Sequence, residues 1–250
     1  MEESWREALN GGVSLCEQSE DGIVALEKPC GVLSHPNAEL QSSKSSILTC
    51  KYSLKFEKYL LEPTNSAVHL LNRLDAPVSG LILVALNEKI AEAARVAFEN
   101  RSVEKKYLAL LKGYLLSESG CWKSSMAKVG GKNCVRAAKC GSVLALTKYR
   151  LIKELPWKNF TLSLVELQPI TGRTHQLRLH CSQNHVPIIG DKTYGNFNFN
   201  RQFYKLTGEN RLFLHSNEVC LRYELDGLSK IFRAKSKYHF ADYCPSPLAK

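Results

Sequence analysis

The apolar positions of this chain fall into short runs and, in one place, a helical stripe. After its serine and glycine, SGLILVAL (79–86) is continuously apolar, which predicts a strand buried on both faces. GIVALEKP (22–29) predicts a shorter strand stopped by Pro29. Asn87 stands where a helix cap belongs, and Ile90, Ala94, Ala97 and Phe98 recur on one face, predicting a helix through about Asn100. KKYLALLKG (105–113) predicts a returning strand.

Beyond a Gly/Ser/Lys-rich stretch around 117–142, LALTKYRLI and NFTLSLVEL predict two further strands, with ELPWKN as their turn. In the second, Phe160, Leu162 and Leu164 alternate with Thr161 and Ser163, the mark of a half-buried strand. Thr171-Gly172 opens a predicted helix from Arg173 to about Asn184, stopped before Pro187. RLFLHSNEVCLRYEL (211–225) predicts a late strand or strand pair, and QSSKSSIL (41–48) reads as a loop. Many strands, two or three helices and no regular strand–helix alternation define an α+β fold on a largely antiparallel or mixed sheet.

Composition narrows the class. At 250 residues, 44% hydrophobic and 23% charged, the chain is an ordinary globular protein of one large domain or two small lobes. No apolar run is long enough to span a membrane, and MEESWREALNGG lacks the apolar core of a signal peptide, so a cytoplasmic protein is expected. Nine scattered cysteines with no Cys-x-x-Cys pair argue against a zinc site and a disulfide framework, and most are expected to be small buried hydrophobes. The net charge of +10 points to a polyanionic partner, RNA or DNA, although a merely basic soluble protein has the same balance.

Three stretches offer chemistry. In Asn72-Arg73-Leu74-Asp75, Leu74 is expected in the core, and a carboxylate beside a guanidinium stays ionised. Taken alone, the pair reads first as a structural ion pair. In PITGRTHQLRLH (169–180), a helix would align Arg173, Gln176 and His180 on one face and put Arg178 on another, an anion-binding helix start or a solvated helix. His175 and His180 are badly spaced for a metal on one face. Tyr107 follows Lys105-Lys106, which suits base stacking beside phosphate or a partly buried sheet position.

EKPCGVLSHP, NRLDAPVSGL, VEKKYLALLKG, PITGRTHQLRLH, PIIGDKTYG and RLFLH, in that order, resemble the ordered motifs of the RluA-type pseudouridine synthases from about Ile23 to Leu221. The resemblance implies isomerisation of uridine within rRNA or tRNA, with no cofactor and no metal. By similarity Asp75 is the catalytic aspartate, Tyr107 stacks on the base and is the candidate for removing its C5 proton, and Arg178, preferred over Arg173, pairs with Asp75. Arg73 would help extrude or hold the nucleotide, with Arg173, His35 and Lys192 as further substrate-binding candidates. Residues 1–21 are expected to be an N-terminal extension and 22–250 the catalytic domain, in the family's compact form without an S4-type domain and as a monomer.

The chain departs from the family at Asn72, where a histidine is usual, and at Val78, where a threonine is usual. Those departures motivate one alternative, a non-catalytic RNA-binding paralogue. Another is a glycoside-cleaving hydrolase that pairs Asp75 with Asp191.

Overall fold

The computed structural model describes residues 4–38, 42–64, 66–128, 137–237 and 240. Its elements are α1 (Ser4–Glu7), β1 (Ser14–Gln18), β2 (Ile23–Lys28), β3 (Lys51–Ser53), β4 (Lys58–Leu61), β5 (Ser66–Leu70), β6 (Ser79–Ala85) and α2 (Glu88–Glu99). There follow β7 (Val103–Lys112), β8 (Ser119–Lys128), β9 (Ala137–Trp157), β10 (Phe160–Pro169), α3 (Gln176–Gln183), α4 (Phe197–Thr207), β11 (Leu214–Leu225) and β12 (Leu228–Lys235). The chain forms two units, 1–105 with 216–238, and 106–215 with 239–250. It passes from the first to the second inside β7 and returns inside β11.

In the first unit β6 is the centre, with every residue buried. It pairs antiparallel with β2 along one edge, from Ile23↔Ala85 to Lys28↔Gly80, and with β5 at His69↔Ala85. The continuous apolar run thus builds an antiparallel strand, because α2 and neighbouring strands cover it. Ile23, Leu81 and Leu83 pack with Ile90, Ala94, Leu221 and Phe232 in one core. Gly80 has φ of +105°, and a Cβ there would strike the Ser216 backbone, so only glycine allows this approach. α2 begins where expected: the Asn87 side chain accepts the Ile90 N–H, and Ile90, Ala91, Ala94 and Ala97 face inward.

In the second unit the antiparallel order is β7-β10-β9-β8. Two expectations fail here for physical reasons. Ser163, assigned to a wet face, is fully buried because its hydroxyl donates to the Gly113 carbonyl at 2.8 Å. The expected ELPWKN turn shrinks to Lys158-Asn159, and Pro156 lies within β9 opposite Thr161. The β8 ladder ends at Ser119↔Arg150, so the N–H that Pro156 lacks breaks no pairing on that side.

Part of the Gly/Ser/Lys-rich stretch also forms strand, as β8 and the start of β9, while 129–136 lie outside the described residues. α4 was not expected. Its Phe199 and Phe203 pack against Trp157 with ring centroids 5.7 and 5.1 Å away. In the 41–48 segment, Ser43–Ser45 make a single 3-10 turn, and residue 41 is outside the described set. The cysteine expectation also needs correction: among the described residues Cys181 is buried, Cys30 and Cys121 are exposed, and Cys16, Cys50 and Cys220 are half-buried. Cys16, for one, sits at an edge where its thiol donates to the Lys235 carbonyl.

Candidate active site

In the first unit the segment 72–78 between β5 and β6 carries Asp75, and its backbone is tied at several points. The Asn72 side-chain carbonyl accepts the Leu83 N–H at 2.6 Å. The buried Ser34 hydroxyl accepts the Leu74 N–H at 2.9 Å and donates to the Leu74 carbonyl at 2.8 Å. The Ala76 carbonyl accepts both the Gly31 N–H at 2.8 Å and the Lys28 ammonium at 3.1 Å. A turn closes from the Asp75 carbonyl to the Val78 N–H at 3.0 Å, and Leu74 and Val78 anchor it in the interior. Asp75 itself is half-buried, at the head of a loop held rigid by its own backbone.

Lys28 is 1% exposed and donates also to the carbonyls of Pro29 and Val32, at 3.1 and 2.7 Å. Burial pulls its ammonium down to about 8, partly offset by negative charge at Cys30 and Asp75. A lysine inside this loop thus satisfies three carbonyls and sets a positive charge near the Asp75 carboxylate. Arg73, by contrast, is exposed and reaches Glu57 at 3.8 Å. His35 is half-buried and stacks on Tyr52 at 5.0 Å, and its Nδ1–H donates to the Pro36 carbonyl at 2.7 Å. Tyr52 is pushed up to about 12 by burial, with Glu57 adding to the rise and Arg73 opposing it.

In the second unit the centre is Arg178 on α3. Its Nε and terminal NH2 group donate to Asp191 Oδ2 and Oδ1, each at 2.8 Å, and both side chains are buried. Asp191 Oδ1 also accepts the N–H groups of Thr193 and Tyr194, at 2.8 and 3.0 Å. Burial pushes the Asp191 carboxyl up, but the hydrogen bonds and charge of Arg178 outweigh it and hold the group below the usual carboxylate range. The guanidinium lies 5.3 Å over the Tyr194 ring, and the Tyr194 hydroxyl meets His175 Nδ1 at 3.1 Å. Gly190, with φ of +78°, lets this loop pass against the Arg211 carbonyl, where a side chain would collide.

α3 starts at Gln176, three residues later than expected. His175 adopts φ of +55°, so Arg173 stands in the preceding turn and shares no helical face with Gln176 and His180. Those two side chains are buried and do not present an anion site. Gln176 accepts the Thr171 hydroxyl and the Arg173 N–H, and donates to the Leu146 carbonyl and the Thr147 hydroxyl. His180 meets Thr147 and Ser124 hydroxyls, each at 2.8 Å, and burial pulls it down to about 4. The arginine-histidine segment is therefore clamped to β9 by its neutral side chains, which leaves Arg173 exposed and Arg178 locked.

Tyr107 is a buried residue of β7, opposite Leu167 of β10, and Lys192 is exposed next to Asp191. The first unit thus brings together Asp75 and Lys28, with Arg73 and His35 grouped about Tyr52. Sequence reasoning missed Ser34 and the use of Lys28 as a loop anchor. The hold of Asp191 on Arg178 was not foreseen either. All three lie inside the quoted motifs, and nothing local predicts which distant carbonyl or guanidinium they meet. Among the described residues no group of His, Cys, Asp and Glu gathers as a metal site requires, and no helix is long and apolar enough to cross a membrane.

Residues 22–183 match the RNA pseudouridylate synthase family. The chain is similar to the tRNA pseudouridine synthase C of Haemophilus ducreyi, 34% identical over 79% of this chain and 80% of that protein. It is also similar to the ribosomal large subunit pseudouridine synthase C of Rickettsia bellii, 33% identical over 88% of this chain and 68% of that protein. Among solved structures, human RNA pseudouridylate synthase domain containing 1 superimposes with a TM-score of 0.65 at 25% identity, covering 94% of this chain and 88% of that one. The chain belongs to the RNA pseudouridylate synthase family, in its RluA-type branch. It is an isomerase acting on uridine in RNA.

Proposed function

We propose that this protein converts specific uridines of structured rRNA or tRNA to pseudouridine, with Asp75 as the catalytic carboxylate. The reaction breaks the N1–C1′ bond and forms C5–C1′; C5 loses a proton and N1 gains one. No atom is imported and no electron is exchanged, so no redox cofactor or co-substrate is called for. The loop geometry carries the reading. A half-buried carboxylate stands at the head of a backbone fixed by Ser34, Lys28, Gly31 and Asn72, with the Lys28 ammonium nearby.

Tyr107 is assigned to stacking on the target base and to taking its C5 proton, and Arg178 to the same catalytic group. The uridine must leave its stack to be reached, so base flipping belongs to the proposal. Arg73, Arg173 and Lys192, all exposed cations, serve the phosphates around the target, and His35 serves the nucleotide near the loop. The enzyme acts as a cytoplasmic monomer, without metal or membrane.

The alternatives lose their footing. Asn72 and Val78 both have structural uses, the one holding Leu83 and the other filling the interior, so neither marks a dead enzyme. Asp191 accepts from Arg178, Thr193 and Tyr194, which leaves it poorly suited as a hydrolase acid or base beside Asp75. The test is chemical mapping of pseudouridine across rRNA and tRNA from cells with and without this gene. Loss of one or a few sites on deletion is expected, with return on complementation by wild type. An unchanged map would contradict the proposal.

A further inference from the structure

α4 has more aromatic surface than its packing uses. Phe199 and Phe203 already fill its inner face, yet Phe197 and Tyr204 remain 57% and 50% exposed on the other side. They are seven residues apart with Arg201 between them, so a helical repeat places all three on one stripe. At a rise of about 1.5 Å per residue the two rings stand roughly 10 Å apart along the axis, with the guanidinium between. Lys205 is exposed beside them, and the helix FNFNRQFYKLT contains no acidic residue. Neither Arg201 nor Lys205 makes an ion pair among the described residues.

We propose that the outer face of α4, through Phe197, Arg201 and Tyr204, is a binding platform for single-stranded RNA outside the residues assigned to catalysis. The rings would stack on bases while Arg201 and Lys205 meet phosphates. Charge selects this occupant: exposed rings set among cations, on a helix with no acidic residue, complement a polyanion with π-faces. The charge of the whole chain, +10, has the same sign. The inference rests on RNA being the substrate, and goes beyond it by naming residues of α4 that the catalytic assignment leaves out.

The experiment titrates the full chain into a short fluorescein-labelled oligouridylate and follows anisotropy across a salt series. Phe197→Leu with Tyr204→Leu keeps bulk and removes stacking, and is expected to weaken binding about tenfold or more at an unchanged melting temperature. Arg201→Gln is expected to lower the slope of log affinity against log salt by about one. The same variants raise the KM for the RNA substrate. Unchanged affinity and unchanged salt slope would overturn the proposal. So would intact RNA binding accompanied by lost binding to anionic phospholipid vesicles, which would make the face a membrane contact. Wild-type turnover is measured alongside: isomerisation with unaffected variants defeats this inference alone, whereas absence of isomerisation defeats the functional reading.

Discussion

Arg178 and Asp191 are joined by two parallel hydrogen bonds of 2.8 Å, between side chains that are 6% and 1% exposed. A bidentate pair so deeply placed fixes the guanidinium plane, and Tyr194 beneath it restricts the remaining tilt. Arg178→Ala leaves the buried Asp191 carboxylate without its cation, and Asp191→Ala takes two hydrogen bonds from the buried guanidinium, so each is expected to cost about 3–5 kcal/mol in denaturant unfolding. The double variant should cost clearly less than their sum. Turnover should fall with Asp191→Ala in the wild-type background and not further in the Arg178→Ala background. Additive losses in both quantities would show that the two residues act independently.

Ser34 is expected to matter to the Asp75 loop out of proportion to its size. Its hydroxyl holds both polar groups of the Leu74 backbone, and Ser34→Ala leaves them buried without those partners. A loss of about 1–3 kcal/mol in stability follows. Because the loop carries the proposed catalytic carboxylate, kcat should drop while KM stays near its wild-type value. Lys28→Met, which releases the Ala76 carbonyl, should move the same parameters in the same direction. A pure KM effect in both variants would place the loop in binding alone.

Asn72 is expected to act as a hydrogen-bond acceptor and no more. Its side-chain oxygen holds the Leu83 N–H at 2.6 Å, so Asn72→Asp keeps the acceptor and Asn72→Ala loses it. Thermal denaturation should find the aspartate variant close to wild type and the alanine variant less stable by about 1–2 kcal/mol. Equal stability of all three would remove this account of the residue.

His180 gives the fold an acid sensitivity. Its folded value, about 4, lies below the ordinary 6.5, so the unfolded chain binds its proton more readily. Its contribution is fully present above about pH 6.5 and is lost as pH falls toward 4, amounting to about 3 kcal/mol at most. Chemical unfolding of wild type and His180→Gln at several pH values should show a shallower acid loss in the variant. Parallel curves would assign the acid sensitivity to other groups.

How far the molecule was legible in its sequence follows the range of the forces involved. The buried strand β6 and the Asn87-capped α2 depend on local patterning, and both lie where the apolar runs and the cap placed them. Helix α3 did not, because its start is set by Gln176 reaching Thr171 nearby and β9 thirty residues away, against a helical spacing that includes Arg173. Ser163 is polar by type but buried through one carbonyl fifty residues away in sequence. α4 was hidden because its outer face is itself aromatic, which blurs the usual inside–outside contrast. The motifs around Asp75 and Arg178 were visible, while the ties of Ser34 to Leu74, Lys28 to Ala76 and Asp191 to Arg178 join positions 13 to 48 residues apart along the chain.

The central claim is that the Asp75 carboxylate performs the isomerisation. Its most direct measurement is release of tritium from RNA labelled at uracil C5, comparing wild type with Asp75→Asn, a substitution of nearly equal size, after confirming equal melting temperatures. Wild type is expected to release label in proportion to the pseudouridine formed, and the asparagine variant to release none above background. Sustained release by the variant would contradict the account.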